Sequence, residues 1–223
     1  PSVKLSPKDV ISGNAGLRPL IHEEGKSPSE LSRKDEIFES PTGLITIAGG
    51  KLTGFRKMAE RVVDLVLRRL KKKEGRSFIP CRTDQIALSG CKDLGPEGFK
   101  RFCEEWRRRL TEKGMDPKEA VRWIHLYGLD IEAVWERAEE NPDRFLRAQV
   151  EHAVAEEMTV NVTDFLIRRT GDLFFYREHC ERVLDDVVSA MAEINGWDKE
   201  TTERQRAAME KELKQSHPTA EKN

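Results

Sequence analysis

Leu44-Ile45-Thr46-Ile47-Ala48 reads as a strand, Gly49-Gly50-Lys51-Leu52-Thr53-Gly54 as a turn, and the chain from Phe55 onward as a helix. The strand is apolar at nearly every position, which predicts cover on both of its faces. Just upstream, Ile37-Phe38-Glu39 and the turn Ser40-Pro41-Thr42-Gly43 complete a β-hairpin, with proline second and glycine fourth as a type I turn favours. Downstream, Leu52, Phe55, Met58, Ala59, Val62, Val63, Val66 and Leu70 recur mostly three and four apart, the stripe of a half-buried helix. The helix ends in Arg68-Arg69-Leu70-Lys71-Lys72-Lys73, cations that complement the negative end of its dipole.

Farther upstream, Asp9-Val10-Ile11-Ser12 and Leu17-Arg18-Pro19-Leu20-Ile21 read as short extended segments. From Phe78 onward the pattern is almost wholly helical. Phe99, Phe102, Cys103, Trp106 and Leu110 form one stripe. Asp116-Pro117 followed by Glu119 is a helix start: an N-cap, proline at the first position, an acid at the third. Asp130 and Thr163 are expected to cap further helices, and others start near Pro142, before Val183 and at Asp198, the last ending near Leu213. The expected fold class is α+β. A short antiparallel β segment and its following helix occupy residues 1–74, a mostly α-helical domain occupies 75–215, and 216–223 form a disordered tail.

The 223 residues fit one or two domains, and 39 Lys+Arg against 40 Asp+Glu leave a net charge of -1. That balance excludes a dedicated nucleic-acid binder, which carries a basic excess. Hydrophobic residues are 37% and charged residues 35%, a composition of helices with broad solvated faces. No apolar run approaches the roughly 20 residues of a membrane span, and no signal peptide is visible. The chain opens at Pro1 inside a polar segment, as a piece cut or processed from a longer protein would. Cys81, Cys91, Cys103 and Cys180 form no C-x-x-C pair, and His22, His125, His152, His179 and His217 are scattered. His179 and Cys180 are adjacent, but neighbours on a helix point apart. No metal site is expected, and the thiols fit a reduced, cytoplasmic setting.

The glycine turn carries the strongest chemical signal. A glycine pair lets backbone approach a ligand, and the free N–H groups and positive dipole end of the following helix favour an anion or a polarised oxygen. Lys51 adds a mobile charge and Thr53 a hydroxyl. The spacing is neither that of a P-loop nor G-x-G-x-x-G, and a plain turn before a core helix is the competing reading. Arg18, held extended by Pro19, and Arg33 offer planar forks suited to phosphate or carboxylate, against the alternative of surface ion pairs.

Ser12-Gly13-Asn14-Ala15-Gly16-Leu17-Arg18-Pro19-Leu20, Ser32-Arg33-Lys34-Asp35 and Ile47-Ala48-Gly49-Gly50-Lys51-Leu52-Thr53-Gly54-Phe55-Arg56 resemble the FAD-dependent, quinone-linked glycerol-3-phosphate dehydrogenases. Glu151-His152-Ala153-Val154-Ala155-Glu156-Glu157-Met158 and Asp164-Phe165-Leu166-Ile167-Arg168-Arg169-Thr170-Gly171 resemble the helical C-terminal domain of the same family. The resemblance implies that residues 1–74 are the last strands and closing helix of an FAD-binding domain. It also implies that Gly49, Gly50, Lys51, Leu52 and Thr53 lie against the flavin. Arg18 and Arg33 would then face the substrate, gripping its phosphate or orienting its hydroxyl, and Lys51 would sit near flavin or substrate oxygens. Arg18 and Lys51 are the implied catalytic groups. The implied reaction oxidises glycerol 3-phosphate to dihydroxyacetone phosphate with hydride transfer to FAD and quinone as acceptor. A homodimer, cytoplasmic and peripheral at a membrane surface, is the implied setting.

The chain departs from the family in lacking the dinucleotide-binding G-x-G-x-x-G unit, so alone it is expected neither to hold FAD tightly nor to turn over. Two other readings stand beside this one: a helical interaction or dimerisation module, and a related FAD-dependent amine oxidase. The basic run from Arg68 to Arg76 would suit anionic lipid or, more plainly, a solvated helix end. Arg168 and Arg169 are expected to pair with Glu151, Glu156 and Glu157 rather than to bind phosphate. Trp106, Trp123, Trp135 and Trp197 are expected as core or interface anchors.

Overall fold

The hairpin around Ser40-Pro41-Thr42-Gly43 is present in the computed structural model, which describes residues 4–6, 9–16, 21, 35–49, 51–87, 90 and 94–217. Strands β1 (Asp35–Glu39) and β2 (Ile45–Gly49) pair antiparallel, with Ile37 opposite Ile47 and Glu39 opposite Ile45. Gly43 N–H donates to the Ser40 carbonyl at 2.9 Å, and Gly43 has φ +88. A turn followed by a left-handed glycine is the three-residue hairpin loop whose twist suits the strands. The Ser40 hydroxyl then accepts from Leu44 N–H at 3.0 Å.

Helix α1 (Phe55–Glu74) follows a 3-10 turn at Leu52–Gly54. Arg61 pairs with Asp35 and Arg69 with Glu39, tying α1 to β1. The helix stops at Gly75, whose left-handed φ of +69 lets its N–H reach the Lys71 carbonyl at 3.0 Å. Among the described residues the expected double cover of the second strand is not found. Ile45 and Ile47 are half-buried, but Thr46 and Phe38 are exposed, because the described sheet has two strands and α1 offers one face to it. The α1 stripe is split in the same way: Met58, Val62, Val66 and Leu70 are half-buried, while Phe55 and Val63 stay exposed.

The chain divides into two compact units, one of Ala15–Ala87 and one of Leu88–Asn223 joined by Pro1–Asn14. The second is helical: α2 (Gly95–Glu112), α3 (Pro117–Tyr127), α4 (Ile131–Arg137), α5 (Phe145–Glu156), α6 (Asp172–Phe175), α7 (Arg177–Asn195) and α8 (Lys199–Ser216). Its core has two parts. Trp106, Leu110, Trp123, Ile124, Trp135 and Phe145 fill one, and Val150, Phe165, Leu173, Val187, Met191 and Met209 are among those filling the other. Helix α5 supplies Phe145 and Ala148 to the first and Val150 and Ala153 to the second, so it joins them. Trp106, Trp123 and Trp135 are core anchors as expected, and Trp197 packs against the second cluster.

Asp116 caps α3 as its sequence predicts, its carboxylate accepting from Lys118 N–H at 2.8 Å and Glu119 N–H at 3.1 Å. Asp198 caps α8 through Thr201 N–H at 2.8 Å. Two expected caps fail. Asp130 makes no side-chain cap, because α4 continues directly from a 3-10 turn at Gly128–Asp130. Thr163 makes none either. Asp164 accepts from Asn161 N–H at 3.0 Å instead, and Asp164–Arg169 is a π-helical turn closed by Thr170 N–H on the Phe165 carbonyl at 3.0 Å. Gly128 is required where it stands: φ is +56, and a Cβ there would lie 2.1 Å from the Gly90 carbonyl oxygen.

Val10–Ser12 is not a strand. Among the described residues it has no sheet partner, and the Ser12 hydroxyl donates to the Phe174 carbonyl at 2.9 Å instead. The second predicted extended segment lies, except for Ile21, outside the described residues. Helix α8 runs past Leu213 to Ser216, which is 6% exposed; residues 218–223 lie outside the described set.

Candidate functional site

Four of the sequence-predicted site residues meet at the start of α1. Gly49 ends β2 with φ +82, and Lys51 stands extended at φ -109, ψ 146 before the 3-10 turn. Gly54 N–H donates to the Lys51 carbonyl at 2.8 Å. Lys51, Leu52 and Thr53 are all exposed. Neither the 3-10 turn nor α1 has a side-chain cap or an acid in its first turn. The 3-10 turn satisfies the Gly54 and Phe55 N–H groups on the Lys51 and Leu52 carbonyls, and leaves its own first N–H groups without a side-chain cap. The next cations along α1 are spoken for: Arg56 pairs with Glu60 at 3.2 Å and bonds Thr83 at 3.1 Å, and Lys57 pairs with Glu60 at 2.7 Å. Lys51 has no acidic partner among the described residues. The turn therefore presents its first N–H groups without a side-chain cap, and the Lys51 ammonium without an acidic partner among the described residues, a donor set for an anion or a polarised carbonyl edge. Arg18, Arg33 and Gly50 lie outside the described residues.

The helical unit holds a buried polar cluster that sequence reasoning missed. Arg122 on α3 pairs with Asp172, the first residue of α6, and their side chains are 10% and 1% exposed. The Arg122 guanidinium lies 3.9 Å from the Trp123 ring centroid and 3.7 Å from that of Tyr176, sandwiched between two aromatic faces. Thr170 Oγ1 donates to the Phe165 carbonyl at 3.1 Å, and His179 Nε2 is 3.5 Å from the far Asp172 oxygen. His179 Nδ1 lies 2.9 Å from an Arg182 donor, which makes Nδ1 the acceptor and Nε2 the protonated nitrogen. Burial raises the Asp172 carboxyl above its ordinary value, against the opposing pull of Arg122. Burial, aided by Arg122 and Arg182, lowers His179 to about 4. The ring is neutral at pH 7. Burial likewise lifts the Cys180 thiol to about 12, so it is inert as a nucleophile. The cluster locks α3, α6 and α7 together. No local pattern marks it in the sequence: the helical neighbours of Arg122 are Lys118, Glu119, His125 and Leu126, and Asp172 simply follows Gly171.

Arg168 and Arg169 do not meet the acids expected of them as a set. Arg168 pairs with Asp164 at 2.8 Å, and Arg169 donates to the Glu157 carbonyl at 3.1 Å and reaches its carboxylate at 3.8 Å. Glu151 goes to Arg147 at 2.8 Å and Glu156 to Arg137 at 3.1 Å. The π turn brings Asp164 onto Arg168 and leaves Glu151 and Glu156 to residues on other turns. Among the described residues no group of three His, Cys, Asp or Glu could hold a metal, and no helix is long and apolar enough to cross a membrane. Cys81, Cys103 and Cys180 are unbridged.

Residues 81–202 match the family described as the C-terminal domain of alpha-glycerophosphate oxidase. The aerobic glycerol-3-phosphate dehydrogenase of Bacillus subtilis (strain 168) is 42% identical over 208 residues, covering 90% of this chain and 38% of its own length. The enzyme of the same name from Staphylococcus aureus (strain MRSA252) is 37% identical over 222 residues, covering 97% of this chain and 40% of its own. A crystal structure of the glycerol-3-phosphate dehydrogenase from Bacillus halodurans complexed with FAD superposes with a TM-score of 0.82 at 38% identity, over 100% of this chain and 43% of that one. The chain thus spans about two fifths of the length of these relatives. It belongs to the family of the alpha-glycerophosphate oxidase C-terminal domain, and corresponds to the C-terminal portion of the FAD-dependent glycerol-3-phosphate dehydrogenases that its motifs resemble.

Proposed function

We propose that this chain is the C-terminal part of a flavoprotein that oxidises sn-glycerol 3-phosphate to dihydroxyacetone phosphate and passes the electrons to quinone. The observation that carries the reading is the likeness, along the whole chain, to a glycerol-3-phosphate dehydrogenase that binds FAD. Bound FAD supplies a hydride acceptor. What the chain supplies is the turn at Gly49, Gly50, Lys51, Leu52 and Thr53. Its uncapped N–H groups and the exposed Lys51 ammonium suit a ring edge that gains negative charge on reduction, and they favour the reduced form over the oxidised one. Arg18 and Arg33 take the substrate, one on its phosphate and the other beside the reacting hydroxyl. The substrate named for the relatives favours a phosphate ester over an amine.

On this reading the chain alone neither retains FAD nor turns over, because the dinucleotide-binding unit is supplied by residues beyond those here. The working enzyme is a homodimer, cytoplasmic and peripheral at a membrane surface where quinone is reached. The basic end of α1, with Lys71, Lys72 and Lys73 in its last turn, would suit contact with anionic headgroups.

The test is substitution in the full-length flavoprotein. Lys51→Ala and Arg18→Ala should each lower kcat/KM for glycerol 3-phosphate by about 100-fold or more, as loss of a charge-stabilising group does. Flavin content and thermal midpoint should stay unchanged. Unaltered turnover with altered assembly would instead support the interaction-module reading. Faster reduction by glycine or sarcosine than by glycerol 3-phosphate would support the amine oxidase.

A further inference from the structure

A cleft of about 280 Å³ opens within the helical unit, between the start of α3, the 3-10 turn at Pro142–Arg144 with the first turns of α5, and the first turn of α7. Met115, Trp123 and Phe145, all buried, form its wall with the half-buried Leu146. The Phe145 and His179 rings stand 6.1 and 6.0 Å from the Trp123 ring and are tilted to it by 55° and 57°. Three rings so tilted make a concave corner rather than a flat stack. Gln149 lines the same cleft and is 1% exposed, yet its amide nitrogen has no hydrogen-bond partner among the described residues. The nearby Tyr127 hydroxyl could take one of its two N–H groups, and the other would still lack an acceptor. A buried amide donor left unmet is costly, so one set in the wall of a cleft points to an oxygen brought by a ligand.

The charge of the cleft has one sign. Asp116, Glu119 and Asp143 line it, and no lysine or arginine does among the described residues. Asp116 gives one carboxylate oxygen to the cap of α3 and keeps the other. The arginines of the same elements are engaged elsewhere: Arg122 with Asp172, Arg144 with Glu139, and Arg147 with Glu151 at 2.8 Å. His179 is neutral at pH 7, so it brings no compensating charge. An aromatic corner beside unpaired carboxylates attracts a cation, through the ring faces and through the acids together. The volume lies at the lower end of ligand pockets and selects a small molecule. We propose that this cleft binds a small organic cation that also carries an accepting oxygen, of the amino-alcohol class. Its ammonium centre rests against the Trp123, Phe145 and His179 corner and faces Glu119 and Asp143, and its oxygen accepts from the Gln149 amide. The site lies wholly in the helical unit and does not depend on the flavin reading.

The test is calorimetric titration of the full-length protein with choline, which has both a cationic head and a hydroxyl. One saturable site per chain is expected, with a Kd of about 1 mM or tighter. The neutral carbon isostere dimethylbutanol should bind at least about tenfold more weakly, for want of the charge. Tetramethylammonium, which keeps the charge and lacks the oxygen, should bind about fivefold more weakly. Glu119→Gln and Asp143→Asn should each weaken choline binding about two- to fivefold, and the double variant more than either, with flavin content and kcat for glycerol 3-phosphate unchanged. Gln149→Met should remove the preference for choline over tetramethylammonium. The absence of a saturable site, equal binding of the neutral isostere, or unweakened binding in the Glu119→Gln/Asp143→Asn double variant would overturn the proposal. Tighter binding of acetate than of choline would overturn it too. If Gln149→Met does not fold, choline and tetramethylammonium on the unaltered protein decide the part of the amide, and equal affinities there overturn the proposal.

Discussion

Replacing Arg122 by alanine should be among the most damaging single changes in the helical unit. The substitution strips Asp172 of its counter-ion while leaving the carboxylate 1% exposed. It also removes the cation held between the Trp123 and Tyr176 rings at 3.9 and 3.7 Å. Breaking a buried pair from one side costs about 3–5 kcal/mol, far above the ~0–1 kcal/mol of an exposed pair. Most of that is the penalty of an unpaired buried charge. Asp172→Asn in the Arg122→Ala background should therefore recover part of it. The Arg108–Glu112 pair on α2, with side chains 68% and 61% exposed, is the control, and Arg108→Ala should cost under about 1 kcal/mol. Urea unfolding followed by tryptophan fluorescence measures all four proteins, because Trp123 sits against the substituted group. A cost for Arg122→Ala no greater than that for Arg108→Ala, or no recovery in the double variant, would refute the reasoning.

Acid should also loosen the unit through His179, whose folded pKa of about 4 lies below the ordinary 6.5. The unfolded chain takes the proton first, so this contribution is complete above about pH 6.5 and is lost as pH falls toward 4. At about pH 4.5 the loss should be about 2 kcal/mol. Asp172, pushed up by burial, titrates with the opposite sign, so the test compares wild type with His179→Gln at matched pH; an identical acid slope would contradict it. Gly128→Ala should destabilise by more than about 3 kcal/mol, because a left-handed φ and a backbone clash coincide there, and a shift in thermal midpoint of a degree or less would show that the loop yields. Asp116→Ala should cost about 1 kcal/mol by exposing two first-turn N–H groups, and an unchanged urea midpoint would contradict it.

What the sequence made legible was what depends on neighbours along the chain. The hairpin follows from Pro41 and Gly43, the start of α3 from Asp116-Pro117, and the α1 stripe from its three-and-four spacing. Short or irregular elements were not legible: α6 is too brief for a period, and the π turn at Asp164–Arg169 moves Arg168 and Arg169 away from two of the acids assigned to them. The Arg122–Asp172 pair joins residues 50 apart, which no local pattern signals. Of the candidate site, Lys51 and its turn were visible because glycine, cation and helix start are contiguous. The open half of α1 came as a correction, because an apolar stripe says that a face is to be covered and not which residues cover it.

The most direct measurement is anaerobic titration of the purified full-length protein with glycerol 3-phosphate while the flavin absorbance is followed. The account predicts one flavin per chain and complete bleaching at one equivalent of substrate. A full-length protein that carries no flavin, or whose flavin stays oxidised under excess glycerol 3-phosphate, would contradict it.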